Sequence, residues 1–333
     1  MNQTFHPALT FRGFQGEADY TKILAIYLKS SDVDHIIDPA SLEDMKRWCG
    51  PSARFDPYKD IVFAELETGG GEPSVVGFSR LSWYTGLNDT RLYVQMSYLH
   101  PDWRGHGIWP AIVQQNEHRL MEIAAGHPYT PQRFYQAWAT STQMKWISTL
   151  ESEGYKAVRH FNNMLHQLND ISEQETPAGL EVRPVQAEHY WSIWEAQREV
   201  QRELFEVVAE NWTDDRYESW AANPSHTPKL WQVAWDGDQV AGMVLPRIDD
   251  DENRQLGRKR GYTEHVFVRR PWRKRGLAKA LIVRSLQVFK EQGIQEAELG
   301  VDSENESGAF GFYHRLGYKT FSTDIWFRKP LVI

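Results

Sequence analysis

A single cysteine occurs among the 333 residues, so no internal disulfide forms. Cys49 has no evident histidine partner in the sequence and reads as packing rather than as a nucleophile. Long apolar runs are missing too: none approaches the ~18 residues that a spanning helix needs, so no membrane partner is expected. Met1 to Thr10 lacks the basic-then-apolar layout of a secretory leader, which makes a cytoplasmic location the expectation. Positive charge is in deficit, with 37 Lys and Arg against 45 Asp and Glu and a formal net charge of −8. That balance argues against nucleic acid as a partner. No His/Cys/Asp cluster shows metal-ligand spacing and no Gly-x-x-x-x-Gly-Lys loop occurs, so neither a metal site nor a nucleotide P-loop is expected.

What is present is ordinary globular material, 41% hydrophobic and 25% charged, with an unusual 14 tryptophans. The length suits two cores rather than one. The chain also repeats itself. Leu9-Thr10-Phe11-Arg12-Gly13-Phe14-Gln15 resembles Leu180-Glu181-Val182-Arg183-Pro184-Val185-Gln186, and Trp103-Arg104-Gly105-His106-Gly107 answers Trp272-Arg273-Lys274-Arg275-Gly276. Glu153-Gly154-Tyr155-Lys156 answers Leu316-Gly317-Tyr318-Lys319 in the same order. A duplicated domain follows, with residues 1–170 and 180–333 as the two copies and 171–179, crowded with polar residues, Pro and Gly, as the linker. Each copy reads as strands and helices in an order that gives an α+β domain with one mixed sheet.

The chemistry concentrates in the second copy. Tyr262 to Val268 alternates as a strand, and Leu277 to Gln292 has a helical rhythm, so Arg269 to Gly276 is a strand-to-helix turn. The first N–H groups of a helix lack internal partners and sit at the positive end of its dipole, which suits a phosphate. Gly276 and Ala278 allow close backbone approach, and Arg273, Lys274 and Arg275 add charge. Arg273-x-x-Gly276-x-Ala278 after Val266-Phe267-Val268 resembles the acetyl-CoA signature of the GNAT (GCN5-related N-acetyltransferase) superfamily. Farther on, Leu299-Gly300-Val301-Asp302-Ser303-Glu304-Asn305, Gly308-Ala309 and Phe312-Tyr313-His314-Arg315-Leu316-Gly317-Tyr318 resemble that family's closing motif.

The resemblance implies two tandem GNAT domains of the mycothiol-synthase type. Each is a mixed, mostly antiparallel sheet flanked by helices, with a splayed central strand pair. It implies acetyl-CoA as cosubstrate, held by residues 266–268, 273–278 including Leu277, Asn305 and Gly308. The Val268 N–H would bind the developing oxyanion, Asn305 the pantetheine arm, and Tyr313 would protonate the leaving thiolate. The acceptor implied is a primary amine, of a small molecule, met by a monomer or homodimer. A second reading is a non-catalytic acyl-CoA-binding protein on the same scaffold.

The base is open. Glu264 lies four residues before Val268, hence on the same side of the strand under strict alternation, and fits either a base or a surface ion pair. His265 would face the other way and pack. The acidic, aromatic segment Phe205 to Trp220 reads as an acceptor wall or a solvated helix. In the first copy Trp109 stands where Ala278 does, Thr142 where Asn305 does and Leu150 where Tyr313 does. Those three departures make it a scaffold rather than a second active site.

Overall fold

A computed structural model of the protein describes residues 8–36, 40–52, 54–67, 72–86, 89–201, 213–223, 226–304 and 308–332. The first half runs β1 (Leu9–Gly13), α1 (Ala18–Val33), α2 (Leu42–Trp48), α3 (Pro57–Asp60), β2 (Ile61–Leu66), β3 (Ser74–Thr85), β4 (Arg91–Leu99), α4 (Ile108–Ala125), β5 (Arg133–Thr140), α5 (Met144–Ser152) and β6 (Lys156–Gln167). The second half follows the same course of strands, with a helix added between its third and fourth: β7 (Glu181–Val182), α6 (Tyr190–Gln201), α7 (Asp214–Ala221), β8 (Gln232–Asp236), β9 (Gln239–Ile248), α8 (Asp250–Gln255), β10 (Arg260–Val268), α9 (Leu277–Glu291), β11 (Glu296–Asp302), α10 (Ala309–Arg315) and β12 (Lys319–Pro330).

The chain forms two compact units, one of residues 1–160 with 322–333 and one of residues 161–321. In the first, β1 to β5 lie in sequence order and β12 pairs with β5. In the second, β6 pairs with β11, followed by β10, β9, β8 and β7. Every pair named within these units is antiparallel except β4 with β5 and β10 with β11. The closing strand of each repeat therefore serves the other repeat's unit. The expected linker at 171–179 is a boundary of sequence duplication; the packing boundary falls at 160/161 and 321/322, because a strand belongs to the sheet that satisfies its backbone.

In the second unit both faces of the sheet are covered, and β9 shows it. Ala241 and Val244 join a cluster with Leu277, Leu281 and Phe289 of α9, whereas Val240, Met243 and Leu245 join one with Ile193 and Ala196 of α6. Neighbouring side chains go to opposite layers, with one step in phase where the β8–β9 register shifts between Val240 and Gly242, and helix periodicity supplies one apolar stripe to each. Gly276 and Gly293, both at positive φ, bracket α9.

Candidate active site

The central feature is a gap between two parallel strands. Strand β10 pairs with β11 only from Arg260↔Glu296 to Tyr262↔Glu298. Beyond that point β11 stays with β6 as far as Asp302, and β10 stays with β9 as far as Val268, so their facing edges part. A bulge aids the divergence: the β10–β9 register shifts between Glu264 and Phe267, and His265 there takes a left-handed φ of 49°. A bulge adds one residue to one strand and bends it.

The bulge also reverses the side-chain phase. Glu264 faces Leu245 and Phe267 faces Met243, both on the α6 layer, whereas Val266 and Val268 pack with the α9 layer. Strict alternation put Glu264 on the side of Val268 and His265 opposite; the structure puts Glu264 on the α6 side, away from Val268. His265 joins it there, its Nδ1 lying 2.6 Å from the amide of Gln197 in α6. The extra residue absorbs the half-period, so counting from Glu264 misleads by one. Glu264 is held by Arg247, whose Nε donates to it at 3.3 Å.

Val268 pairs opposite Gly242, and the next residue, Arg269, donates its N–H to the Ala241 carbonyl at 3.0 Å. In an antiparallel ladder bonded and non-bonded pairs alternate, so the Val268 N–H points away from β9 and into the gap. The Val268 carbonyl accepts a 2.8 Å bond from Arg273 Nε. Arg273 thus closes the turn on its own strand. Arg275 reaches the Ala178 carbonyl at 3.3 Å, and Lys274 takes φ 61°.

Gly276 has φ 84°, and a Cβ built on it meets no protein atom within 4 Å. Backbone conformation rather than crowding selects glycine, and the space over it is open. The first bond of α9 runs from Ala280 N to Gly276 O, which leaves the N–H groups of 277–279 ahead of the ladder. Ala278 and Ala309, at the starts of α9 and α10, are both half-buried.

Tyr313 on α10 packs edge-on to Tyr318, with ring centroids 5.9 Å apart, and Tyr318 lies 3.1 Å from Thr263 Oγ1. Burial pushes the Tyr313 phenol up to about 12, so near neutral pH it is protonated and has a proton to donate. Gly308 caps α10 at φ 69°. Asn305 lies outside the described residues, as does 205–212 of the expected acceptor segment; of that segment, 214–220 lies in α7.

The first unit repeats the turn, but its two parallel strands stay paired for longer and no bulge parts them. Gly105 and Gly107 take φ 92° and 74°, and Arg104 Nε donates to Leu99 O at 3.3 Å, as Arg273 does to Val268. Yet β3 and β4 pair without a register shift from Thr85↔Arg91 to Gly77↔Leu99, and β4 stays with β5 as far as Gln95↔Ala137. The Arg104 guanidinium grips the buried Asp34 carboxylate at 2.6 and 2.9 Å. Trp109 turns inward and packs on Trp146, with centroids 4.5 Å apart. Counting back equally from Gly154 and Gly317 sets Trp146 against Ala309. Two indoles fill what two alanines leave open. Cys49 is fully buried, and burial pushes its thiol up to about 11, which suits packing.

Residues 189–318 match the family described as "Acetyltransferase (GNAT) family". N-alpha-acetyltransferase 30 of Schizosaccharomyces pombe is 35% identical over 91 residues, 27% of this chain; the match spans only 58% of that protein. The mycothiol acetyltransferase of Streptomyces scabiei is 26% identical over 240 residues, 69% of this chain and 70% of that one. A GCN5-related N-acetyltransferase structure from Sphaerobacter thermophilus superposes with a TM-score of 0.74 at 24% identity, covering 99% of this chain and 98% of that one. A tandem GNAT protein from the clavulanic acid biosynthesis pathway gives 0.63 at 14% identity, covering 97% and 100%. The fold is thus that of a tandem acetyltransferase, as the repeat implied. The match to the acetyltransferase (GNAT) family falls on the second repeat, across residues 189–318.

Proposed function

We propose that the second unit transfers an acetyl group from acetyl-CoA to a primary amine of a small molecule, directly, in one ternary complex. The observation that carries this reading is the gap between β10 and β11, with the Val268 N–H inside it and the start of α9 at its mouth. The pyrophosphate belongs over Gly276, on the free N–H groups of 277–279, where dipole and hydrogen bonds act together. Arg273 acts through the turn that it closes, while Lys274 and Arg275 supply charge beside it. The pantetheine arm runs into the gap beside Val266, Phe267 and Val268, with Gly308 on its far side.

An amine attacking the thioester carbonyl puts negative charge on oxygen, which a preorganised N–H stabilises without reorganisation. Val268 supplies that donor. Collapse of the tetrahedral intermediate expels a thiolate, and Tyr313, protonated at any working pH, supplies its proton. A small-molecule acceptor is favoured because the mycothiol acetyltransferases align across both repeats, whereas the protein N-alpha-acetyltransferases align with only 27% of the chain.

Tyr313→Phe tests this. The phenol makes no hydrogen bond among the described residues, so the melting temperature should hold, while kcat for coenzyme A release falls by about 10²–10⁴-fold. Unchanged turnover in Tyr313→Phe removes the general acid. Acetyl-CoA binding without release of coenzyme A to any amine favours the non-catalytic reading.

A further inference from the structure

The bulge in β10 places a second titratable side chain beside Glu264, and its surroundings differ from those of the carboxylate. Glu264 is neutralised by Arg247, which also donates to Asp249 at 3.2 Å. His265 reaches solvent, and no described residue bonds its Nε2. Its Nδ1 meets Gln197, a fully buried amide whose Oε1 has no partner among the described residues. A histidine at φ 49° is sterically costly and persists only where its surroundings hold it, and such strain gathers at functional positions.

We infer that His265 takes the proton from the acceptor's ammonium group, with Gln197 as the positioning residue that sets its tautomer; the assignment rests on the acetyl-transfer reading above. The two ends of an amide exchange by rotation, so Gln197 can present either oxygen or nitrogen to Nδ1. Only the oxygen-inward arrangement lets the ring accept a proton at Nε2 and keep its bond, because the imidazolium carries hydrogen on both nitrogens. That arrangement also gives Oε1 a donor.

The protons balance. An ammonium N–H bond breaks and its proton goes to Nε2, then to water. The neutral amine forms the C–N bond, and the C–S bond breaks with its electrons on sulfur. Tyr313 protonates the thiolate and recovers a proton from the acylated nitrogen. One proton is released per turnover.

The charges around the ring fit a base that is neutral near pH 7. Desolvation within the cleft holds the imidazole below its ordinary value, against a smaller opposing pull from Glu264. His226, packed on Trp220 and Trp231, is lowered by burial and then by the charge of His265. Arg247 and Arg269, paired with Glu264 and Glu199, are cations on this face.

The test compares two acceptors with acetyl-CoA and the full-length protein. n-Butylamine is an ammonium at pH 7 and must lose a proton, whereas methoxyamine is already neutral. His265→Asn, chosen because asparagine tolerates left-handed backbone, should lower kcat/KM for n-butylamine by about 10²–10³-fold and for methoxyamine by less than about threefold. Gln197→Leu should show the same selective loss. Gln197→Glu should restore the rate and move the acid limb of the n-butylamine profile to higher pH, since a carboxylate on Nδ1–H favours the charged ring. Equal losses for both amines, or no loss for either, overturn the assignment. So does a Gln197→Glu variant no better than Gln197→Leu. Wild-type protein that releases no coenzyme A with these two amines or with any of a broad amine panel instead overturns the acetyl-transfer reading, and this assignment with it.

Discussion

Exchanging the residues that distinguish the two repeats gives a sharp test of how the cofactor is held. Ala278→Trp transplants the indole of Trp109 to the first turn of α9, beside the open space over Gly276. If the pyrophosphate rests on the free N–H groups of 277–279, the indole displaces it. A hydrogen bond to a charged group contributes about 1.5–3 kcal/mol, so losing two of three costs about 3–6 kcal/mol. At about 1.4 kcal/mol per factor of ten, acetyl-CoA affinity falls by about 10²–10⁴-fold. Calorimetric titration reads this directly, and a thermal melt separates it from unfolding, since position 278 is only half-buried. The reciprocal Trp109→Ala leaves a cavity against Trp146, costs about 3–5 kcal/mol of stability and leaves the affinity unchanged. A folded Ala278→Trp protein whose acetyl-CoA affinity shifts less than about threefold would refute the reasoning.

Two further expectations concern the framework. A Cβ on Gly261 would come within 2.5 Å of the fully buried Phe289 ring, so Gly261→Ala should cost about 1–3 kcal/mol by overpacking, measured by urea denaturation. Removing residues 322–333 takes away the strand paired with β5 in the first unit. Hydrogen exchange should then accelerate in Arg133–Thr140 and leave Glu296–Asp302, which pairs with β6 and β10, protected; equal acceleration in both would show the units to be one cooperative body.

Much of this was legible before any coordinates, because the informative features are local. The duplication shows as ordered matches, and Gly276 betrays a turn that needs positive φ. The first repeat's departure from the motif shows at Trp109, and the pairing of Trp146 with Ala309 was available by the same counting, although only the packing reveals that the two indoles meet. The rest depends on partners that a local pattern does not name. No glycine or proline marks the bulge, and His265 is an unusual occupant of a left-handed position. Alternation therefore assigned Glu264 the wrong side of the strand. Nor does the apolar pattern of β6 or β12 say which sheet it joins, so the exchange of closing strands was invisible. Asp34, which holds Arg104, lies too far away in sequence to be tied to it by spacing.

The central claim is one working acetyl-CoA site, in the second unit. Titration of the full-length protein with acetyl-CoA, alongside Gly276→Trp and Gly107→Trp, tests it most directly. The account predicts one molecule bound per chain, binding lost in Gly276→Trp and kept in Gly107→Trp. Two molecules per chain, or one that is lost with Gly107→Trp and kept with Gly276→Trp, would contradict it.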